Sequence, residues 1–134
     1  MWTCSVCHRK FKYENMSHMC SSKDIGELFI GKPDELVLLF DALVEGTSSW
    51  DPNTYGASVN TVVFASKKAW LIIKPMTKVI DVKFYHDTRL ESERLHKVTA
   101  FGKKFAYHIR LSSLEQLDEE VFNLLKEGYS FSLK

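Results

Sequence analysis

The stretch of sequence that decides the fold is KVTAFGKKFAYHIRL, residues 97–111. Both of its halves are rich in β-branched and aromatic residues, and a Gly-Lys pair separates them, which is the pattern of two strands joined by a tight turn. Apolar and polar residues alternate in the second half, so one face of that strand is expected to be buried. We therefore predict an antiparallel pair formed by Lys97 to Phe101 and Lys104 to Leu111.

Three further strands are predicted upstream of this pair, in short runs of β-branched and aromatic residues. They cover Val59 to Ala65, Trp70 to Met76 and Val79 to Tyr85, and short polar connections separate them. Because short connections favour antiparallel neighbours, we expect a mainly antiparallel sheet of about five strands. Residues 46–57 are rich in Gly, Ser, Asn and Asp and are interpreted as a loop that carries Trp50 and Tyr55.

Helices are predicted on both sides of the strands. From Pro33 to about Glu45 apolar residues recur at helical spacing, with Gly46 as the expected stop. A second helix follows a capping box interpreted at residues 112–115, and leucines and a valine form its apolar stripe. Strands grouped between helices indicate an α+β domain with both helices on one face of the sheet.

All three cysteines of the chain lie in its first twenty residues. Cys4 and Cys7 form a C-x-x-C pair, and His18 and Cys20 follow after a gap. This is a ligand set of the kind that structural zinc sites use, with no open coordination position for catalysis. We therefore expect one structural Zn²⁺ and divide the chain into a zinc-knuckle-like module at 1–23 and an α+β domain at 24–134. The alternative is three buried or idle cysteines and a histidine that is near them in the sequence by chance.

Composition excludes several classes of protein. The formal net charge is only +1, which argues against a protein that acts mainly by neutralising nucleic-acid phosphates. No run of apolar residues is long enough to span a membrane, and the residues after Met1 lack the pattern of a secretory signal. Clustered thiols in a chain without such a signal are typical of a reducing compartment, so a cytoplasmic location is expected.

The polar face of the predicted sheet is the candidate ligand-binding surface. Alternation places Ile80, Val82 and Phe84 in the core with Phe105, Tyr107 and Ile109, and leaves the residues between them on the other face. Four of these exposed residues combine positive charge with an aromatic ring, a combination suited to phosphate, carboxylate or single-stranded nucleic acid: they are Lys83, Tyr85, His108 and Arg110. The alternative is an ordinary solvated face.

Several of these segments also resemble a bacterial family of proteins, domain of unknown function 5655. The likeness is carried by residues 2–7, by Phe11 and residues 17–20, by Gly31-Lys32-Pro33 with the following helix, by Phe64-Ala65, and by residues 97–111 with the last helix. The resemblance implies the same metal role for Cys4, Cys7, His18 and Cys20. It implies no activity.

Two functions remain open on the sequence. The first is a non-enzymatic, zinc-stabilised binding module that recognises a nucleic acid, a protein or a small anionic ligand. The second is a small enzyme acting on a phosphorylated or carboxylated substrate, with His108 as acid or base and Arg110 as the anion holder. No catalytic motif favours the second, and no catalytic residue is assigned. A homodimer formed through an apolar strip of the sheet is a third interpretation.

Overall fold

The computed structural model describes residues 2–3, 10–11 and 25–134 of the chain. In chain order the elements are β1 (Trp2–Thr3), β2 (Lys10–Phe11), a 3₁₀ helix (Ile25–Phe29), α1 (Asp34–Thr47), β3 (Thr54–Ala57), β4 (Val62–Ala65), β5 (Ala69–Pro75), β6 (Ile80–His86), β7 (Lys97–Phe101), β8 (Lys104–Leu111), a second 3₁₀ helix (Leu114–Gln116) and α2 (Glu119–Ser132). The predicted α+β class is confirmed. No helix among the described residues has the length and apolar character needed to cross a membrane.

One antiparallel sheet of six strands, in the order β3-β4-β5-β6-β8-β7, forms the centre of the protein. The hairpin of β7 and β8 has the predicted bounds, and its two-residue turn pairs Phe101 with Lys104. Gly102 adopts a φ of +63° in this turn, a left-handed conformation that glycine tolerates best. The turn thereby fixes the register that places Lys97 opposite His108. Separately, β1 and β2 form a short antiparallel pair.

The expectation of about five strands is wrong by one, because β3 lies in the segment predicted to be a loop. β3 has only four residues and contains Gly56, so its composition resembles a turn. It is held by pairing with β4, where Tyr55 lies opposite Phe64 and stacks on it at a ring distance of 5.1 Å. Trp50 precedes the strand and packs on Trp70, with 5.8 Å between the ring centroids. The aromatic residues of this segment therefore belong to the core.

Both helices cover the same face of the sheet, as predicted. Phe40 of α1 meets Phe64 edge-on at 6.5 Å. Gly128 of α2 lies so close to Phe84 that an added Cβ would stand 2.8 Å from its ring. Phe64 and Phe84 share one face because each lies opposite Leu71 in the ladder. The fully buried Trp70 and Tyr107 also belong to this core.

The helix ends differ from the prediction in detail. Pro33 is the N-cap rather than the first residue of α1, and the helix continues past Gly46 to Thr47. The capping box is formed by Ser113 and Gln116, one residue later than predicted, and it caps the 3₁₀ helix. α2 starts after Asp118, whose carboxylate accepts a hydrogen bond from the Val121 N–H at 3.1 Å. These shifts leave the placement of both helices on the sheet unchanged.

Candidate functional site

The face of the sheet opposite the helices carries the charged residues of β5, β6, β7 and β8. Lys83 of β6 lies opposite His108 of β8, and His108 lies opposite Lys97 of the edge strand β7. In the next row along the strands, Asp81 lies between Lys74 and Arg110. We call this surface the open face. The predicted division into a core face and a polar face is confirmed for β6 and β8.

Asp81 organises the centre of the open face. Its carboxylate Oδ2 accepts a hydrogen bond from Nδ1 of His108 at 2.9 Å. Its other oxygen, Oδ1, lies 3.4 Å from Nε of Arg110, at ion-pair distance. Among the described residues no group donates a hydrogen bond to that buried oxygen. The side chain of Asp81 is 13% exposed, so this carboxylate anchors two neighbouring side chains that reach further towards solvent.

The pairing with Asp81 determines which nitrogen of His108 faces a ligand. An ionised carboxylate only accepts hydrogen bonds, so Nδ1 carries the proton that is donated to Oδ2. Nε2 is therefore the ring nitrogen able to exchange a proton with, or donate to, a bound molecule. Arg110, with 42% of its side chain exposed, keeps donors directed away from Asp81 because its guanidinium has five N–H groups.

A groove of about 290 Å³ lies over these residues. We call it the basic groove, and its lining residues are Thr61, Ile72, Lys74, Met76, Asp81, Lys83, His96, Lys97, His108 and Arg110. Four of them are Lys or Arg and one is Asp, whereas the whole chain has 18 basic and 17 acidic residues. The groove is thus a local concentration of positive charge on a protein that is nearly neutral overall.

A second cluster lies next to the basic groove on the same face. Tyr85 of β6 and Phe101 at the end of β7 approach with a ring distance of 5.9 Å. Nζ of Lys104 stands 4.5 Å from the ring of Tyr85 and 5.6 Å from that of Phe101. Phe101 is 57% exposed. We call Tyr85, Phe101 and Lys104 the aromatic ledge.

The structure brings three of the four predicted ligand-binding residues into one groove, namely Lys83, His108 and Arg110. Tyr85 does not line it and belongs to the aromatic ledge, although Nζ of Lys83 lies 5.4 Å from its ring.

Sequence reasoning missed the contributions of Lys74, Asp81, His96 and Lys97 to the groove. The two-residue turn at Gly102 would have placed Lys97 opposite His108, since such turns fix hairpin register. The position of Lys74 depends instead on the pairing of β5 with β6, which the sequence alone did not align residue by residue.

Another histidine, His86, ends β6 on the helix-covered side of the sheet. The Thr88 N–H donates to its Nδ1 at 3.0 Å, so its proton is on Nε2, which donates to Oε2 of Glu127 at 3.2 Å. Its ring stacks on Phe131 at 5.5 Å. Both nitrogens of this buried ring are thus engaged, and we assign it a structural role.

The predicted zinc ligands Cys4, Cys7, His18 and Cys20 lie outside the described residues. Within the described part of the chain, no three side chains of His, Cys, Asp or Glu come together as a metal site.

Comparison with known proteins identifies the family of the α+β domain. No curated protein matches the chain, and no solved structure does. A family profile described as "Domain of unknown function (DUF5655)" matches residues 25–132, which include the six-stranded sheet and both helices. The match leaves residues 1–24 outside, so the resemblance read at residues 2–20 has no counterpart in it. The chain belongs to the DUF5655 family.

Proposed function

We propose that this protein is a binding module that holds an anionic ligand in the basic groove. The observation that carries the proposal is the excess of cationic side chains over carboxylates in the groove, four against one, on a chain of net charge +1. A solvated face with no ligand would be expected to mix both signs of charge. A concave site lined by one sign of charge concentrates oppositely charged molecules.

The arrangement of these side chains supports the recognition of a phosphate or a carboxylate. Arg110 offers a planar set of donors that matches two oxygens of such a group. The ion pair with Asp81 limits the freedom of Arg110, so less conformational entropy is lost when a ligand binds. The lysines contribute charge from three different strands, β5, β6 and β7.

A titration of the full chain with inorganic pyrophosphate, followed by amide chemical shifts, tests this proposal. We expect saturable shifts in β5, β6, β7 and β8, and a dissociation constant at least tenfold weaker in Arg110→Gln and in Lys83→Gln. Lys67→Gln removes the same charge from an exposed turn between β4 and β5 and serves as the matched control. Equal affinity in all three variants would show non-specific charge attraction and would refute the proposal.

We further propose that Cys4, Cys7, His18 and Cys20 hold a structural Zn²⁺. The support is their spacing, together with the pairing of β1 and β2, which lie on either side of Cys4 and Cys7 in the sequence. Native mass spectrometry of protein made without added zinc should find one zinc per chain, lost on chelation. Cys7→Ser should abolish this metal, and an unchanged metal content in that variant would contradict the assignment.

A second candidate function, a small hydrolase, is favoured by one observation. The Asp81–His108 hydrogen bond orients the imidazole in the way that general bases are oriented. We would expect slow hydrolysis of p-nitrophenyl phosphate that is lost in His108→Gln and reduced in Asp81→Asn. Because no Ser or Cys nucleophile is among the residues that line the groove, a binding role remains the main proposal.

A further inference from the structure

The aromatic ledge indicates which class of anion the basic groove binds, given the proposed function. We infer that the ligand is a single-stranded nucleic acid, with phosphates in the basic groove and bases stacked on the aromatic ledge.

The groove and the ledge form one continuous surface. Lys83, which lines the groove, is two residues before Tyr85 on β6, a distance of about 7 Å along a strand. Its Nζ lies 5.4 Å from the Tyr85 ring. Phe101 is likewise at the far end of β7 from Lys97, which lines the groove. A ligand that leaves the groove along these strands therefore reaches the ledge directly.

Phe101 and Tyr85 form an apolar surface within the charged open face. Phe101 is 57% exposed while its ring lies 5.9 Å from that of Tyr85, so the pair leaves ring surface available to an apolar or aromatic partner. Lys104 stands over both rings and adds positive charge at the place where aromatic contact is available. Aromatic rings beside cations are the combination that stacks bases and holds the phosphates between them.

The same geometry favours a single-stranded nucleic acid over a duplex. In a duplex the faces of the bases are covered by their neighbours, so a ring on a protein surface cannot stack on them without unpairing the duplex. An acidic peptide would satisfy the charge of the basic groove but would need apolar side chains at the right spacing to reach the rings, whereas every nucleotide carries both a phosphate and a base. A single strand uses both the groove and the ledge.

The test compares two oligomers of equal charge on the full chain. One is a fluorescent oligothymidylate of about six nucleotides, within the range that one small domain covers. The other has the same number of phosphates and abasic sugars throughout. We expect the oligothymidylate to bind roughly tenfold or more tightly than the abasic oligomer, because stacking contributes on that scale for each base.

Variants separate this inference from the proposed function. Phe101→Leu and Tyr85→Leu should each weaken the binding of oligothymidylate, and the two substitutions together should lower its affinity to that of the abasic oligomer. The abasic affinity should stay unchanged. Arg110→Gln should weaken the binding of both oligomers. Phe101→Leu changes an exposed side chain, so we expect an unaltered circular dichroism spectrum and melting temperature. Loss of folding would then not be the cause of weaker oligothymidylate binding.

Equal affinity for the two oligomers would overturn the inference while leaving the anion site intact, provided that Arg110→Gln still weakens binding. The same conclusion would follow if polyglutamate bound as tightly as oligothymidylate, since the partner would then be an acidic protein. Failure of the oligomers and of pyrophosphate alike would instead refute the proposed function.

Discussion

The two faces of the sheet are built on the same strands and differ in almost every other respect. On β6, Phe84 is fully buried beneath α2, whereas its neighbour Tyr85 belongs to the aromatic ledge. The core face is apolar and closed by two helices, and the open face is polar and concentrates positive charge in the basic groove. The comparison shows that the stability of this domain and its candidate recognition surface reside on opposite sides of one layer.

Asp81 is an exception to this division, because it is a buried residue on the open face. It faces the open side, yet it is nearly as buried as a core residue. Burial of a charge is unfavourable unless it is paired, and here His108 and Arg110 provide the pairing. The open face therefore has an ordered centre of its own.

The largest expected effect comes from the substitution Phe84→Ala. Removing a fully buried ring leaves a cavity under α2, so we expect the free energy of unfolding to fall by about 3–5 kcal/mol. The adjacent Tyr85→Ala should cost about 1 kcal/mol or less. Urea denaturation of both variants measures the difference. Comparable losses of unfolding free energy in the two variants would mean that the core face does not supply most of the stability.

The next effect concerns the approach of α2 to the sheet. Gly→Ala in a helix normally stabilises by about 1 kcal/mol, but a Cβ at Gly128 would stand 2.8 Å from Phe84. Since Phe84 has no room to move, we expect Gly128→Ala to be destabilising by about 1–3 kcal/mol.

Gly46→Ala is the matched control for this prediction. Its Cβ would meet the half-buried ring of Phe122, a side chain that can turn aside. The loss measured in urea should be smaller than that of Gly128→Ala, and the reverse order would contradict the packing described for α2.

A smaller effect is expected on the open face from Asp81→Asn. The variant loses the charge-assisted hydrogen bond from His108 and leaves Arg110 without its counter-charge, so we expect a loss of about 1 kcal/mol. The imidazole ¹⁵N shifts of His108 should also report a loss of the single Nδ1–H tautomer. Unchanged shifts would show that Asp81 does not orient this ring.

The smallest effect concerns the exposed ion pair at the start of α2. Asp118 caps α2 and accepts a hydrogen bond from Nη2 of Arg94 at 2.6 Å, and this contact with Arg94 is the main cause that lowers the pKa of its carboxyl. A lowered pKa contributes stability that is present above the unfolded pKa of about 3.9 and is lost as pH falls through the folded value. Because this pair is exposed, solvent screens it and the contribution is small.

Asp118→Asn tests this contribution, since asparagine keeps the cap and removes only the charge. We expect a slightly lower melting temperature than the parent at pH 7 and a smaller difference as the pH falls through the folded pKa. A difference that does not shrink towards low pH would assign the effect to the cap instead of the ion pair.

The sequence predicted those elements whose local pattern agrees with their final environment. β7 and β8 have the predicted bounds because alternation and a glycine turn both point to the same hairpin. β3 was missed because it has only four residues, contains Gly56 and follows a stretch rich in Gly, Ser and Asn, and the strand exists through its pairing with β4. The capping box was shifted by one residue because two serines are adjacent. Gln116 Oε1 accepts hydrogen bonds from the N–H groups of both Ser112 and Ser113, and the start of the 3₁₀ helix at Leu114 makes Ser113 the N-cap.

The candidate site was predicted in part for a related reason. The alternation along β6 and β8 is enough to place Lys83, His108 and Arg110 on one face. It does not show that Asp81 lies between His108 and Arg110 or that Lys74 comes from a third strand, since both depend on register between strands. Tyr85 shares the face but lies one row away from the groove, a distinction that face assignment alone cannot make.

The edge strand β7 forms one side of the groove, yet all five of its residues are exposed. Its side chains therefore lie outside the core, and its backbone pairs with β8 only. The strand β7 is therefore a suitable place for engineering. Positions 97, 99 and 101 are open to randomisation in a selection for new ligands, and the resulting library should consist mostly of folded proteins.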